Sequence, residues 1–354
     1  MNPDVVMSPE ILAGCVRALV PLILLGVGAL ICHQAGVFNV ALEGLMLTGC
    51  FAAVAGSALT GNVVLAVLIA VGASTAVAYV LAVGAVSRHG DPLILGTAAN
   101  LLVSGLTTFL LQAMFHVRGT YQRPDLARLP HWFTSATDTV PYLGPAIAAV
   151  SPLGVLAILA VVAVYGYLRH SVSGLRLRGV GVHPEAASSL GVTPSRYRFA
   201  ALLVSGVLGG LAGAELSLGS VALFTEDMSA GRGWVLVLIM LLAGGRVMAV
   251  VALLILYAYA QALGFRLQTV GLPMQFSDAA PYVAILVAIT WLGIRARIRA
   301  RTARADDQVD TPGPISGVAA PASVGPDRRR PPSAPPTTHS DRGEARVDPA
   351  SPDD

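Results

Sequence analysis

Residues 174–198 read GLRLRGVGVHPEAASSLGVTPSRYR, a polar island between apolar runs long enough to cross a bilayer. The island holds Arg176, Arg178, Arg196 and Arg198 against one acid, Glu185. Its centre, Glu185-Ala186-Ala187-Ser188-Ser189-Leu190-Gly191, predicts a short helix closed by glycine. A greasy chain that holds one Arg-rich helical insert between membrane spans predicts a docking element for a cytoplasmic partner.

The flanks of the island set the fold class. Of 354 residues, 55% are hydrophobic and 12% charged, and the mean hydropathy is +0.70. Soluble domains carry about a quarter charged residues. Half that fraction over this length predicts an integral membrane protein. A spanning helix needs roughly 20 apolar residues. Such runs fall at 11–32, 38–59, 63–86, 93–115, 147–168, 199–222, 247–265 and 279–296. A shorter run, 233–245, ends in Gly244-Gly245 and reads either as a half-helix or as a full span, so the count is nine, give or take one. The expected fold is all-α: a polytopic membrane protein with about nine transmembrane helices. Residues 1–298 form the expected transmembrane domain. Residues 299–354, rich in Pro, Ala, Ser, Asp and Arg, read as a disordered tail.

Arginine placement sets the expected orientation, because cytoplasmic loops collect basic residues. Arg88, Arg169 with the island, Arg246 and the series from Arg295 to Arg304 fall on one side of a nine-span chain. That side, and with it the tail, is expected to be cytoplasmic. The loop 116–146 is the exception. It carries Arg118, Arg123 and Arg128, with Trp132 and Tyr142, and reads either as a docking surface for an external protein or as a plain surface loop.

Cys15, Cys32 and Cys50 have no metal-ligand spacing and sit in apolar surroundings, so they read as small core residues. Leu12-Ala13-Gly14-Cys15 has the look of a lipoprotein cleavage box. The preceding residues lack an Arg and an apolar run, so the first span is expected to be retained. No phosphate-binding loop, HExxH or paired intramembrane aspartate is present. No residue is expected to be catalytic or to bind metal.

Polar residues inside apolar runs are costly and point to function. In Gly36-Val37-Phe38-Asn39-Val40-Ala41-Leu42-Glu43-Gly44, Asn39 can cap a helix start and Glu43 lies one turn further. These two either line a translocation path or tie helices together, Glu43 through Arg17 or backbone amides. Asn100, Ser104 and Thr107 share one helix face that lines a wet path or bonds a neighbouring helix. Ser205 to Gly213 contains Gly206/Gly210 and Gly209/Gly213, overlapping small-residue pairs that predict close helix packing. Glu215 follows them as another costly acid. Asp227-Met228-Ser229-Ala230-Gly231-Arg232-Gly233-Trp234 reads as an external gate or a tight loop.

GVFNVALEGLMLTG, GTAANLLVSGLTTFL and DMSAGRGW, in that order, resemble segments of ABC importer permease subunits. The branch is the one shared by branched-chain amino acid, simple sugar and nucleoside systems, and the segments look closest to the nucleoside type. The resemblance covers about residues 10–296. EAASSLG echoes the EAA-xxx-G signature of the wider importer class, and the run after Gly233-Trp234 departs from the relatives' Ala-rich pattern. The resemblance implies a type II-like importer fold, with 174–198 as the coupling loop that seats on an ATPase subunit. Arg176, Arg178, His183, Glu185 and Ala186 then become expected ATPase contacts, and Asn39, Glu43 and Asn100 the expected path residues. It further implies a second, related permease subunit in a heterodimer, an extracytoplasmic substrate-binding lipoprotein, and a place in a bacterial inner membrane. No cofactor is expected on this chain, since ATP and Mg belong to the ATPase, and no nucleic acid is involved. The expected cargo is a nucleoside, a related ribosyl compound or a simple sugar. Two other readings stay open: an ion-coupled secondary transporter built on Glu43 and Glu215, and an ABC permease for branched-chain amino acids. A non-transporting scaffold that uses the Pro-rich tail is a third.

Overall fold

The computed structural model describes residues 9–130, 143–219 and 222–269, with 282, 283, 286, 287 and 290. All belong to one compact unit, Met1–Arg297. The tail 299–354, most of the run 279–296, and Trp132 and Tyr142 lie outside the described residues.

Helix α1 (Pro9–Gln34) is apolar on every face, and such a helix belongs inside a bundle. Leu22, Leu24 and Leu25 on it are fully enclosed. The long helices α2 (Leu42–Thr60), α3 (Val63–Ala82) and α4 (Pro92–Phe115) follow. A short α5 (Gly144–Ala148) leads to α6 (Pro152–His170), and the island forms α7 (Val172–Val182) and α8 (Pro184–Ser189). Last come α9 (Pro194–Ala214), α10 (Arg232–Ala243) and α11 (Val247–Thr269). Single π-helical turns extend α3 through Val83–Ser87 and α9 through Glu215–Gly219. Among the described residues, seven helices have the length and composition to cross a membrane: α1, α2, α3, α4, α6, α9 and α11. The protein is a multi-pass, all-α membrane protein. Helix α10 is apolar but only 12 residues long, which fits the half-helix read from 233–245.

Local chemistry starts the helices where it should. Asn62 caps α3 by accepting the Val64 N–H at 2.8 Å, and Asp91 caps α4 by accepting the Leu93 N–H at 2.7 Å. Ser151 accepts the Gly154 N–H at 3.0 Å ahead of Pro152, whose ring suits a first helical position. That cap splits the run expected at 147–168 into α5 and α6. The run expected from 38 becomes helical only at Leu42. Helix α9 begins at Pro194, so Arg196 stands in its first turn and Arg198 just beyond it. The island forms two helices instead of the single short one expected.

The small-residue stripe on α9 does what its spacing predicts. A Cβ on Gly210 would press into the backbone of Ala70 and Val71 on α3. One on Gly213 would press into the backbone of Met46, Gly49 and Cys50 on α2. Cys15, Cys32 and Cys50 are buried and free, as expected.

The bundle has two chemically distinct ends. At one, Gln34 donates to the Gly245 carbonyl at 2.5 Å. Gly36, His89, Pro194 and Arg198 line one cavity there, so the loops bearing Arg88 and Arg246 gather with the island. At the other end, Thr120–Gln122 pairs antiparallel with Leu223–Thr225, and Glu10 meets Arg266 at 2.7 Å.

Candidate functional site

The site forms where two helices begin inside the bundle instead of at its ends. After Gln34 the chain turns at Gly36 (φ +72°) and runs without helix until α2 starts at Leu42. Asn39 holds this unwound stretch on both sides. Its Oδ1 accepts the Ala41 N–H at 3.0 Å, and its Nδ2 donates to the Ser205 hydroxyl on α9 at 3.0 Å. Buried Asn100 of α4 braces the same turn. Its Nδ2 donates to the Val40 carbonyl at 3.0 Å, and its Oδ1 accepts the Gly44 N–H at 2.8 Å. One amide side chain thus satisfies an acceptor and an orphan donor at the start of α2.

Glu43 answers the second helix start. Its Oε1 accepts the Gly231 N–H at 2.8 Å and its Oε2 the Gly233 N–H at 2.6 Å. The carboxylate caps α10 across the interface and meets the positive end of its dipole. Backbone amides, not Arg17, are therefore its partner. Arg17 lines a cavity of about 470 Å³ with Glu10 and Arg266, and Met228 and Arg232 of the loop that Glu43 holds line it too. A Cβ on Gly233 would fall on the backbone of Glu43 itself, so glycine is required for the approach.

The loop that carries these glycines is folded against its preferences. Asp227 (φ 52°) and Ala230 (φ 47°) are left-handed without being glycine. The Ser104 hydroxyl donates to Asp227 at 2.6 Å, and the Arg232 guanidinium bonds the Met228 and Ser229 carbonyls at 3.1 and 3.2 Å. Ser104 is halfway along the 24 residues of α4. Ser74, near the middle of α3 and its π turn, donates to the Leu45 carbonyl at 3.0 Å. The layer holding Asn39, Glu43, Asn100 and Asp227 thus stands at mid-depth of the bundle. From it α10 descends about 18 Å at 1.5 Å per residue. It ends at Gly244-Gly245, where Gly245 lies close against His33 and Gln34.

Glu215 is placed apart from this layer. It accepts the Ser151 hydroxyl at 2.8 Å within the π turn that ends α9.

The island residues form a separate surface. Arg176, Arg178, His183, Glu185 and Ala186 are all exposed, on α7 and α8 and at the junction between them. Leu177 and Val180 are buried and seat α7 on the bundle. The two places are physically connected. Gly181 of α7 lies against the Gln34 carbonyl and Gly36, so close that a Cβ there would overlap the Gln34 oxygen. Gly36 is three residues from Asn39. Among the described residues no group of three His, Cys, Asp or Glu is arranged to hold a metal.

The sequence reading brought out Asn39, Glu43, Asn100 and Ser104. It missed Ser205, Gln34 and Gly181 as their partners and links, since each contact joins distant parts of the chain.

The family described as branched-chain amino acid transport system / permease component matches residues 11–290. A nucleoside ABC transporter permease protein of Lactococcus lactis is 29% identical over 77% of this chain and 89% of its own length. A Haloferax volcanii protein, named provisionally as a glucose ABC transporter permease, is 32% identical over 78% and 82%. A guanosine ABC transporter permease protein of Bacillus subtilis is 27% identical over 76% and 88%. No solved structure matches the chain significantly.

Proposed function

The chain belongs to the branched-chain amino acid transport system / permease component family, and on that premise we propose how it works within an ATP-driven importer of nucleosides, related ribosyl compounds or simple sugars. It is a permease subunit and not an enzyme, and ATP hydrolysis belongs to a separate ATPase subunit. The island end faces the cytoplasm, following the placement of Arg88, the island arginines and Arg246, and we assign residues 299–354 to the same compartment. Arg176, Arg178, His183, Glu185 and Ala186 contact the ATPase, which carries ATP and Mg. A second, related permease completes the path, and an extracytoplasmic binding lipoprotein delivers the cargo. Asn39, Glu43 and Asn100 belong to that path, which opens alternately to either side of a bacterial inner membrane.

The observation that carries this reading is the contact of Gly181 with Gln34 and Gly36. A push on α7 and α8 meets the unwound stretch that bears Asn39 and leads to Glu43. The Glu43 carboxylate then passes it to the start of α10. Ligand sites beside broken helices at mid-depth suit alternating access.

The test replaces Glu185, Ala186 and Ala187 with Arg, Leu and Leu in the complete reconstituted importer. The expected outcome is loss of uptake, with ATP hydrolysis either persisting uncoupled or vanishing as the ATPase dissociates. Normal uptake with normal co-purification of the ATPase would sink the proposal.

A further inference from the structure

A groove of about 280 Å³ lies between α7 and α9, with α1 behind it. Its floor is apolar, formed by Ile31 of α1, Leu177 of α7, and Ala201 and Val204 of α9. Its polar lining comes from helix ends beside the island: Tyr167 in the last turn of α6, Ser173 at the start of α7, and Arg196 and Tyr197 at the start of α9. Arg196 is exposed in the first turn of α9, and the hydroxyls of Tyr167 and Ser173 meet at 2.9 Å. Among the described residues Arg196 has no ion-pair partner. The α9 lining runs as one stripe at helical spacing, from Arg196 to Val204. Those eight residues cover about 12 Å of helix, close to the depth of one leaflet's hydrocarbon, about 15 Å. The groove is cationic and hydroxyl-lined at the island end and apolar further in.

We propose that this groove seats an anionic phospholipid. Its phosphate meets Arg196 and the Tyr167 and Ser173 hydroxyls, and an acyl chain lies along Ile31, Leu177, Ala201 and Val204. Arg169, Arg176 and Arg178 at the same end add positive potential, and basic pockets between membrane helices suit such headgroups. A zwitterionic lipid fills the apolar part equally well and forgoes the charge. A lipid here also braces α7 against α9, on the same helix that carries Gly181. Which leaflet supplies it rests on the orientation proposed above; the binding itself does not.

The test delipidates the purified complex in detergent and offers phosphatidylglycerol and phosphatidylcholine in equal amounts. Native mass spectrometry reads what is retained. Phosphatidylglycerol should be favoured about fivefold, the equivalent of about 1 kcal/mol for one basic residue. Arg196→Gln should remove that preference. Ala200→Leu, at an exposed lining position, should fill the groove and reduce retention of both lipids. Arg118→Gln at the opposite end should change neither. Equal retention of the two lipids, or groove variants that behave like the parent, overturns the proposal. So does displacement by soluble glycerol phosphate, which marks a phosphate site, or a preference seen only after the ATPase subunit is stripped from the complex, which marks a protein interface. A preference that persists in a complex that cannot import leaves the groove standing and counts only against the transport reading.

Discussion

The carboxylate of Glu43 on α2 accepts the backbone N–H of Gly233 at 2.6 Å, joining the start of one broken helix to the start of another. Its other oxygen holds Gly231 at 2.8 Å. Two oxygens for two N–H groups is a match that only a carboxylate makes. Glu43→Gln keeps one acceptor and turns an NH₂ toward the second N–H. The loss should be about 1–3 kcal/mol, since a buried donor is left unpaired. Uptake by the reconstituted importer should fall at least about tenfold, with a lower melting temperature and unchanged ATPase co-purification. A Glu43→Gln protein with parental uptake and melting would show that the clamp is dispensable.

Gly181 tests transmission separately from docking. It stands against the Gln34 carbonyl and is half-buried, whereas the neighbouring residues assigned to the ATPase are exposed. Gly181→Ala forces α7 away from the unwound stretch, an overpacking cost of about 1–3 kcal/mol. The ATPase should still bind and hydrolyse ATP while uptake drops. The ratio of substrate moved to ATP consumed is the readout. An unchanged ratio removes Gly181 from the coupling route.

Much of this site was legible because polar side chains are conspicuous in apolar runs. Asn39, Glu43 and Asn100 stood out on that ground alone. The shortness of α10 and its two closing glycines pointed to a half-helix without deciding against a full span. The partners of the polar residues were not legible, because Glu43 and Gly233 are separated by 190 positions and nothing local marks the pairing. Helix α7 was hidden for a different reason. Gly174, Gly179 and Gly181 argue against a helix in so short a segment. The Ser171 cap and the burial of Leu177 and Val180 override that local preference.

The glycines divide into two groups that substitution should separate. A Cβ on Gly213 would overlap three backbone atoms in one turn of α2, so Gly213→Val must drive α9 and α2 apart. Little folded protein should be recovered by size exclusion in detergent. Gly72 lies inside α3 with nothing within 4 Å of a Cβ. Gly72→Ala should be neutral or stabilising by up to about 1 kcal/mol, since alanine restricts the unfolded chain more. A Gly72→Ala loss as severe as that of Gly213→Val would mean the α3 face is packed against something.

The bond from Ser104 to Asp227 at 2.6 Å is the second tie on the mid-depth loop, and its strength is separable from the strain beside it. Asp227 sits at φ 52°, a backbone that aspartate tolerates better than alanine. Asp227→Ala alone therefore mixes lost bonding with added strain. Ser104→Ala alone removes only the hydroxyl. The double variant carries the same strain as Asp227→Ala, so a double-mutant cycle cancels it and leaves the pair. A hydroxyl donating to a carboxylate should couple by about 1.5–3 kcal/mol. Measured as uptake, the two single changes should each be costly and the double little worse than Asp227→Ala. Strictly additive losses would mean that Ser104 and Asp227 act independently. The loop would then be held by Glu43 and by the Arg232 bonds to Met228 and Ser229, and Ser104 would have no part in keeping it at mid-depth.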